Sequence, residues 1–278
     1  MNPSRDLCNR AGFRSHAAEI SGEKRRLRAE SFADHYSQAR LFYRSQAPVE
    51  QKHIAGALVF ELSKCEVPVI RERMVAHLMN IDGPLAETVA GKLGIRTMPE
   101  PAEAAMPARD LPDSPALSML ANPPGTFAGR KLGVLVSDGV DAGLLHALQA
   151  AMEAEGATLD IVAPKVGGVT AADGGHIAAM HMIDGGPSVL FDAVALILTP
   201  EGADMLAQDV AGRDFVSDAF AHCKFIGHTP GAAALLAAAG VEAGADEGLI
   251  ALAPGTCADF VAACRKLRLW SRERAVKP

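Results

Sequence analysis

Two short stretches hold the residue types that could do chemistry. The first, "VSDGVDAG" at residues 136–143, offers Asp138 and Asp141. The second, "IGHTPGAAALL" at residues 226–236, has the layout of a strand turning sharply into a helix. Such an elbow lifts one side chain over the exposed amides of a helix N-terminus, and a nucleophile there needs a neighbouring base. A working nucleophile would be Ser or Cys; this turn offers His228 and Thr229. Thr and Pro at a strand–helix turn are also ordinary capping chemistry. Cys223 falls before the strand, at the end of the preceding helix, which is the wrong place for the role.

Other chemistries find little support. The nine histidines form no HxH or HExxH pair, and His176 and His181 have no nearby Cys to complete a zinc set. "GGVTAADGG" and "GAGADEG" carry glycines without phosphate-loop spacing. No metal site and no dinucleotide site is expected. Five widely spread cysteines (Cys8, Cys65, Cys223, Cys257, Cys264) include no CxxC and read as reduced thiols of a cytoplasmic protein. The net charge of −6 argues against a nucleic-acid binder. The basic stretch of Arg5, Arg10, Arg14, Lys24, Arg25, Arg26 and Arg28 reads as a solvated arm over residues 1–30. No run approaches the ~18 uncharged apolar residues of a membrane span, and the N-terminus lacks a signal-peptide core.

The elements that position these residues fall into two parts. Residues 31–94 read as three or four short helices. Ser31 is a candidate cap, and Pro48 and Glu50 suit the first turn of the next helix. Ile54, Leu58, Glu61, Leu62 and Cys65 then recur at helical spacing, while Ala57, Val59 and Phe60 widen the apolar stripe until it nearly encircles the helix. That helix expects cover on two sides. Gly94 suits a helix C-terminus. Residues 95–129 hold seven prolines and read as an extended linker.

Residues 130–278 alternate strands with helices. "KLGVLVSDGV", "ATLDIVAPK", "DAVALILTP" and "KFIGH" are buried-strand runs, and "DAGLLHALQAAMEAEG", residues 213–222, "AAALLAAAG" and "TCADFVAACRKLRLWSRE" are helical. This is the pattern of an α/β, flavodoxin-like, doubly wound parallel sheet. "VGGVTAADGGHIAA" alternates around Asp173-Gly174 and predicts a small hairpin. Ligands of such sheets sit at the carboxyl ends of strands, which is where Asp138, His228 and Thr229 fall.

The run from Glu23 to Ile95, with "SFADHYSQARLFYRSQAPVEQKHIAGALVFELSKC" at its centre, resembles the C-terminal helical part of large-subunit haem catalases. After a proline-rich linker those subunits carry a flavodoxin-like domain related to the DJ-1/PfpI (class I glutamine amidotransferase-like) superfamily, and the second half of this chain resembles it. The resemblance implies that the haem-gripping β-barrel, with its distal His and Asn and proximal Tyr, precedes the residues seen here. Neither Tyr36 nor Tyr43 matches the proximal motif, so no haem is expected in this chain. DJ-1-like enzymes place a Cys at the elbow beside an acid from the first strand's turn. Alignment of "AAALL" sets Thr229 at the Cys position, or His228 after a one-residue slip, with Asp138 as the acid. Without a thiolate the resemblance implies a vestigial pocket and no catalytic residue.

Three functions follow as expectations. The first is a non-catalytic module of oxidative-stress response, acting in assembly, stability or holdase-type chaperoning of unfolded clients. Its partners would be its own copies or a catalase core, with no nucleic acid and no membrane. The second is a truncated or split catalase whose peroxide chemistry sits on a separate haem core. The third is a DJ-1-like hydrolase or glyoxalase using Asp138 with His228 or Thr229. If ~500 Å² of helical apolar surface lost its cover, roughly 12 kcal/mol of gross drive toward association would result.

Overall fold

A computed structural model describes residues 17–276, which form two compact units. Arg5, Cys8, Arg10 and Arg14 lie outside the described residues. One unit takes in the residues up to Ser45 and Gln51–Ser114; the other takes in Gln46–Glu50 and the residues from Pro115 onward.

The first unit is helical: α1 (Ser37–Arg44), α2 (Pro48–Ser63) apart from its first three residues, α3 (Pro68–Ile81) and α4 (Gly83–Lys92). Proline opens α2 and α3, where its missing N–H costs nothing. Ser31 does not cap α1. It lies in a 3-10 turn, Glu30–Ala33, and the amide of Ser37 is instead met by Asp34 Oδ1 at 3.1 Å. Asp82 caps α4 through the Leu85 amide at 3.0 Å. Gly94 closes α4 at φ +74°, a left-handed conformation that lets the Ile95 amide turn back to the Ala90 carbonyl at 3.0 Å. The small core is Ala55, Val75, Leu78, Leu85, Ala86, Val89 and Ala90. Apolar residues at the end of α2 and the start of α3 stay outside it: Phe60 is 61% exposed and Val67 50%, with Val69 and Ile70 also exposed.

The proline-rich stretch is less of a free tether than its composition predicts. It holds no strand and, beyond a 3-10 turn at Pro115–Leu117, no helix. Yet Ala102 bonds to Ala76 and Asn80, the Arg109 amide donates to Ser37 Oγ at 2.8 Å, and Asp110 meets Arg40 and Arg44.

The second unit is mixed α/β. Six parallel strands run in the order β5-β2-β1-β6-β7-β8: β1 (Lys131–Val136), β2 (Thr158–Ala163), β5 (His181–Met182), β6 (Ala193–Ile197), β7 (Ile226–His228) and β8 (Leu249–Ala251). Alternation divides their side chains between two cores. Leu132, Val134 and Val136, with Ala193, Ala195 and Ile197, pack beneath α5 (Ala142–Ala154) and α9 (Cys257–Cys264). Leu135, Val194, Leu196 and Ile226 pack on the other face against α6 (Pro200–Gln208), α7 (Val210–Ala221) and α8 (Ala233–Ala238). Gly133 is required in β1, because a Cβ there would lie 2.2 Å from the Phe191 ring. The predicted hairpin is present as β3 (Val169–Thr170) paired antiparallel with β4 (His176–Ile177).

Four elements differ from the periodicity reading. Helix α6 and strands β5 and β8 are additional. The terminal helix is broken: after α9, Leu267 turns to φ +64°, and a 3-10 turn at Trp270–Arg272 then leads into Glu273–Val276 (α10). The break lets Leu269 enter the core and donate its amide to the Cys223 carbonyl at 2.7 Å. Arg272 then fastens the tail, pairing bidentately with Asp246 at 2.6 and 2.7 Å. No helix among the described residues is long and apolar enough to cross a membrane.

Candidate functional site

The strand order reverses between β1 and β6, so a crevice is expected at their carboxyl ends. Ser137 and Thr199 meet there. The Thr199 amide donates to Ser137 Oγ at 3.2 Å, and Thr199 Oγ1 donates to the Asp138 carbonyl at 3.3 Å and accepts from the Gly202 amide at 3.1 Å. Thr199 thereby caps α6, and the two turns are tied together. Asp141, the other acid of the first turn, caps α5 through the Leu144 amide at 3.0 Å.

Of the three candidate residues, Asp138 follows β1 while His228 and Thr229 stand at the end of β7, with β6 between those two strands, and they form no connected set. The Asp138 carboxylate accepts from the Thr170 amide at 2.9 Å and from Lys165 Nζ at 3.4 Å. The Thr170 amide, aided by Lys165, holds this carboxyl below its usual range. Thr229 Oγ1 accepts from the Leu198 amide at 3.2 Å and lies 3.1 Å from the Leu198 carbonyl and 3.3 Å from that of Leu196. Its hydroxyl is committed to the end of β6. His228 is half-buried, and burial pushes its imidazole down. Among the described residues no hydrogen bond or ion pair joins Asp138 to His228 or Thr229.

Cys257 and Cys264 do not supply the missing nucleophile. Cys257, the first residue of α9, is buried and bonds to the Ala253 carbonyl at 3.4 Å, and burial pushes its thiol up. Burial pushes Cys264 up as well. A nucleophilic cysteine requires the opposite shift.

Nor do the described tyrosines fit a haem-iron ligand, which must be ionised. Tyr36 is buried, with its hydroxyl hydrogen-bonded to His77 Nδ1 at 2.8 Å. Burial, with the charge of Asp82, pushes the Tyr43 phenol up. Among the described residues no group of three or more His, Cys, Asp or Glu could hold a metal ion.

Several buried polar groups were not singled out by motif. Lys224 is buried two residues before β7, where its Nζ donates to the carbonyls of Ser188 and Phe191 at 2.5 and 2.7 Å. Burial, with Arg268 nearby, pulls it down from 10.5 to about 8. Asp160 accepts from Lys131 Nζ at 2.8 Å and pairs with His181 Nε2 at 3.1 Å. Glu50, read from sequence only as a first-turn acid, collects four donors. The available signal for Lys224 and Asp160 was a lone charge inside an apolar run, as in "CKFIG".

Comparison with known proteins places this architecture. Residues 29–93 match the family described as "Catalase-related immune-responsive", and residues 128–274 match "C-terminal domain found in long catalases". "Catalase C" of Rhizobium meliloti (strain 1021) is 56% identical over 268 residues, covering 96% of this chain and 38% of that protein. "Catalase HPII" of Mycobacterium avium is 38% identical over 231 residues, 83% of this chain and 32% of that protein. "Catalase-1" of Neurospora crassa is 34% identical over 230 residues, 82% of this chain and 31% of that protein. The chain thus spans about a third of the length of these curated relatives. The long-catalase match extends over more than half of the chain, and on that ground the chain belongs to the family of C-terminal domains found in long catalases.

Proposed function

We propose that this chain is the C-terminal portion of a long catalase, and that it serves hydrogen-peroxide dismutation by assembly and stability while a separate haem-bearing core does the chemistry. The observation that carries this reading is the ordered succession of two catalase-associated segments, aligned over 96% of the chain with one catalase while covering 38% of it. The comparisons favour this over a free-standing holdase acting on unfolded clients. The exposed apolar residues Phe60, Val67, Val69 and Ile70 are the surface we assign to the core.

The same reading extends to the fold and the elbow. The succession β2-β1-β6-β7-β8 supports a flavodoxin-like order, with β5 added at one edge. Asp138, His228 and Thr229 are read as the vestige of a DJ-1/PfpI-like pocket, since Thr229 is engaged by backbone and Asp138 by Thr170 and Lys165. The test is to co-express the 278-residue chain with a haem-binding catalase core and purify through a tag on the chain. Co-purification of the core is expected; a core that never accompanies the chain overturns the proposal.

A further inference from the structure

Glu50 stands at the third position of α2, where an acid ordinarily complements the helix dipole and can reach back to the amide before the helix. Here it is buried and does more. Its Oε2 accepts from the Ala47 amide at 2.7 Å, closing the helix start. The same oxygen accepts from Ser118 Oγ at 2.7 Å, across a sequence separation of 68 residues. Its Oε1 accepts from the amides of Met119 at 2.9 Å and Leu120 at 3.2 Å. Burial works to raise its pKa, yet these hydrogen bonds outweigh it and hold the carboxyl below its usual range.

The segment it holds has little else to hold it. Among the described residues the amides of Met119 and Leu120 bond only to Glu50, and that of Ala121 bonds to Ser118 Oγ at 3.1 Å, the hydroxyl that Glu50 itself fixes. Apolar burial adds little at the crest, since Met119 is 78% exposed. One further tie, Gln46 Nε2 to the Leu117 carbonyl at 3.1 Å, comes from the same helix start. The remaining bonds, from Asn122 to the Pro115 and Ser118 carbonyls, are internal to the segment.

We propose that residues 115–122 form a releasable strap and that the Glu50 carboxylate is its latch. With the latch closed, the strap is immobilised; with the carboxylate lost, the amides of 119–121 return to solvent and the proline-rich stretch gains its length as free tether. The substitution E50Q is nearly isosteric, but it replaces one oxygen by an amide group that faces donors. Amide hydrogen exchange of the full chain is the measurement. In E50Q the amides of Met119, Leu120 and Ala121 should exchange roughly tenfold faster or more, while those of β1 and β6 keep their protection. Exchange of 119–121 within about twofold of the parent chain would overturn the latch. S118A keeps the outcome decisive if E50Q does not fold. It should free Ala121 and leave β1 unchanged, and an unaltered Ala121 would overturn the proposal.

Discussion

Thr229 spends its hydroxyl on the neighbouring strand, and this decides what its substitution should do. T229V keeps the shape but leaves the Leu198 amide without its side-chain acceptor. The expected loss is about 1–3 kcal/mol of stability, with T229S recovering most of it, read from urea midpoints. An unchanged midpoint would show that the hydroxyl has no structural task. Lys224 makes a pH-dependent contribution. Its pKa falls from 10.5 in the unfolded chain to about 8 in the native one, so between these values the unfolded state binds more protons. Stability contributed by this group therefore rises as pH increases from about 8 to 10.5 and is lost on going back down. The stability difference between the parent chain and K224M should widen in the parent's favour over that interval; a difference flat with pH would contradict the shift. At this scale the sequence was only partly legible. Asp138, His228 and Thr229 were placed at strand ends from pattern alone, but where their polar atoms point depends on Thr170, Leu196 and Leu198, which no local motif names. The four donors of Glu50 were hidden for the same reason, three of them lying 68 or more residues away.

Elements were more readable where burial on both faces writes a continuous apolar run. "KLGVLV" shows itself as a strand because Leu132 and Val134 enter one core while Leu135 enters the other. The glycine within it belongs to the same design. G133A would drive a methyl into Phe191, at a cost of about 1–3 kcal/mol from overpacking. G133A combined with F191A should lose less than the sum of the two single losses, and strict additivity in thermal or urea unfolding would refute the clash. Helix α6 escaped notice because "LTP" reads as a strand end, although Thr199 followed by Pro200 is a helix-start signal. Strand β8 is only three residues long. The break at Leu267 has no Gly or Pro to announce it; it is imposed by the docking of Leu269. Here tertiary contact overrides periodicity.

For the whole molecule, the apolar surface around the α2–α3 turn is one feature, among the described residues, that the small helical core does not use. Phe60 is 61% exposed, with Lys64 Nζ 3.8 Å from its ring centroid. If a catalase core seats here, F60D together with I70D should weaken co-purification with that core by at least about tenfold, since each buried side chain of this size contributes roughly 1.5–3 kcal/mol. The far-ultraviolet spectrum of the chain should not change, because both residues lie outside its own core. Undiminished co-purification would move the contact elsewhere. The central claim is that peroxide chemistry resides in a haem core and not in these 278 residues. It is tested most directly by purifying the chain alone, supplying haem, and recording the Soret absorbance together with oxygen evolution from hydrogen peroxide. The account predicts neither a protein-bound haem spectrum nor oxygen; a bound Soret band with sustained oxygen release from the chain alone would contradict it.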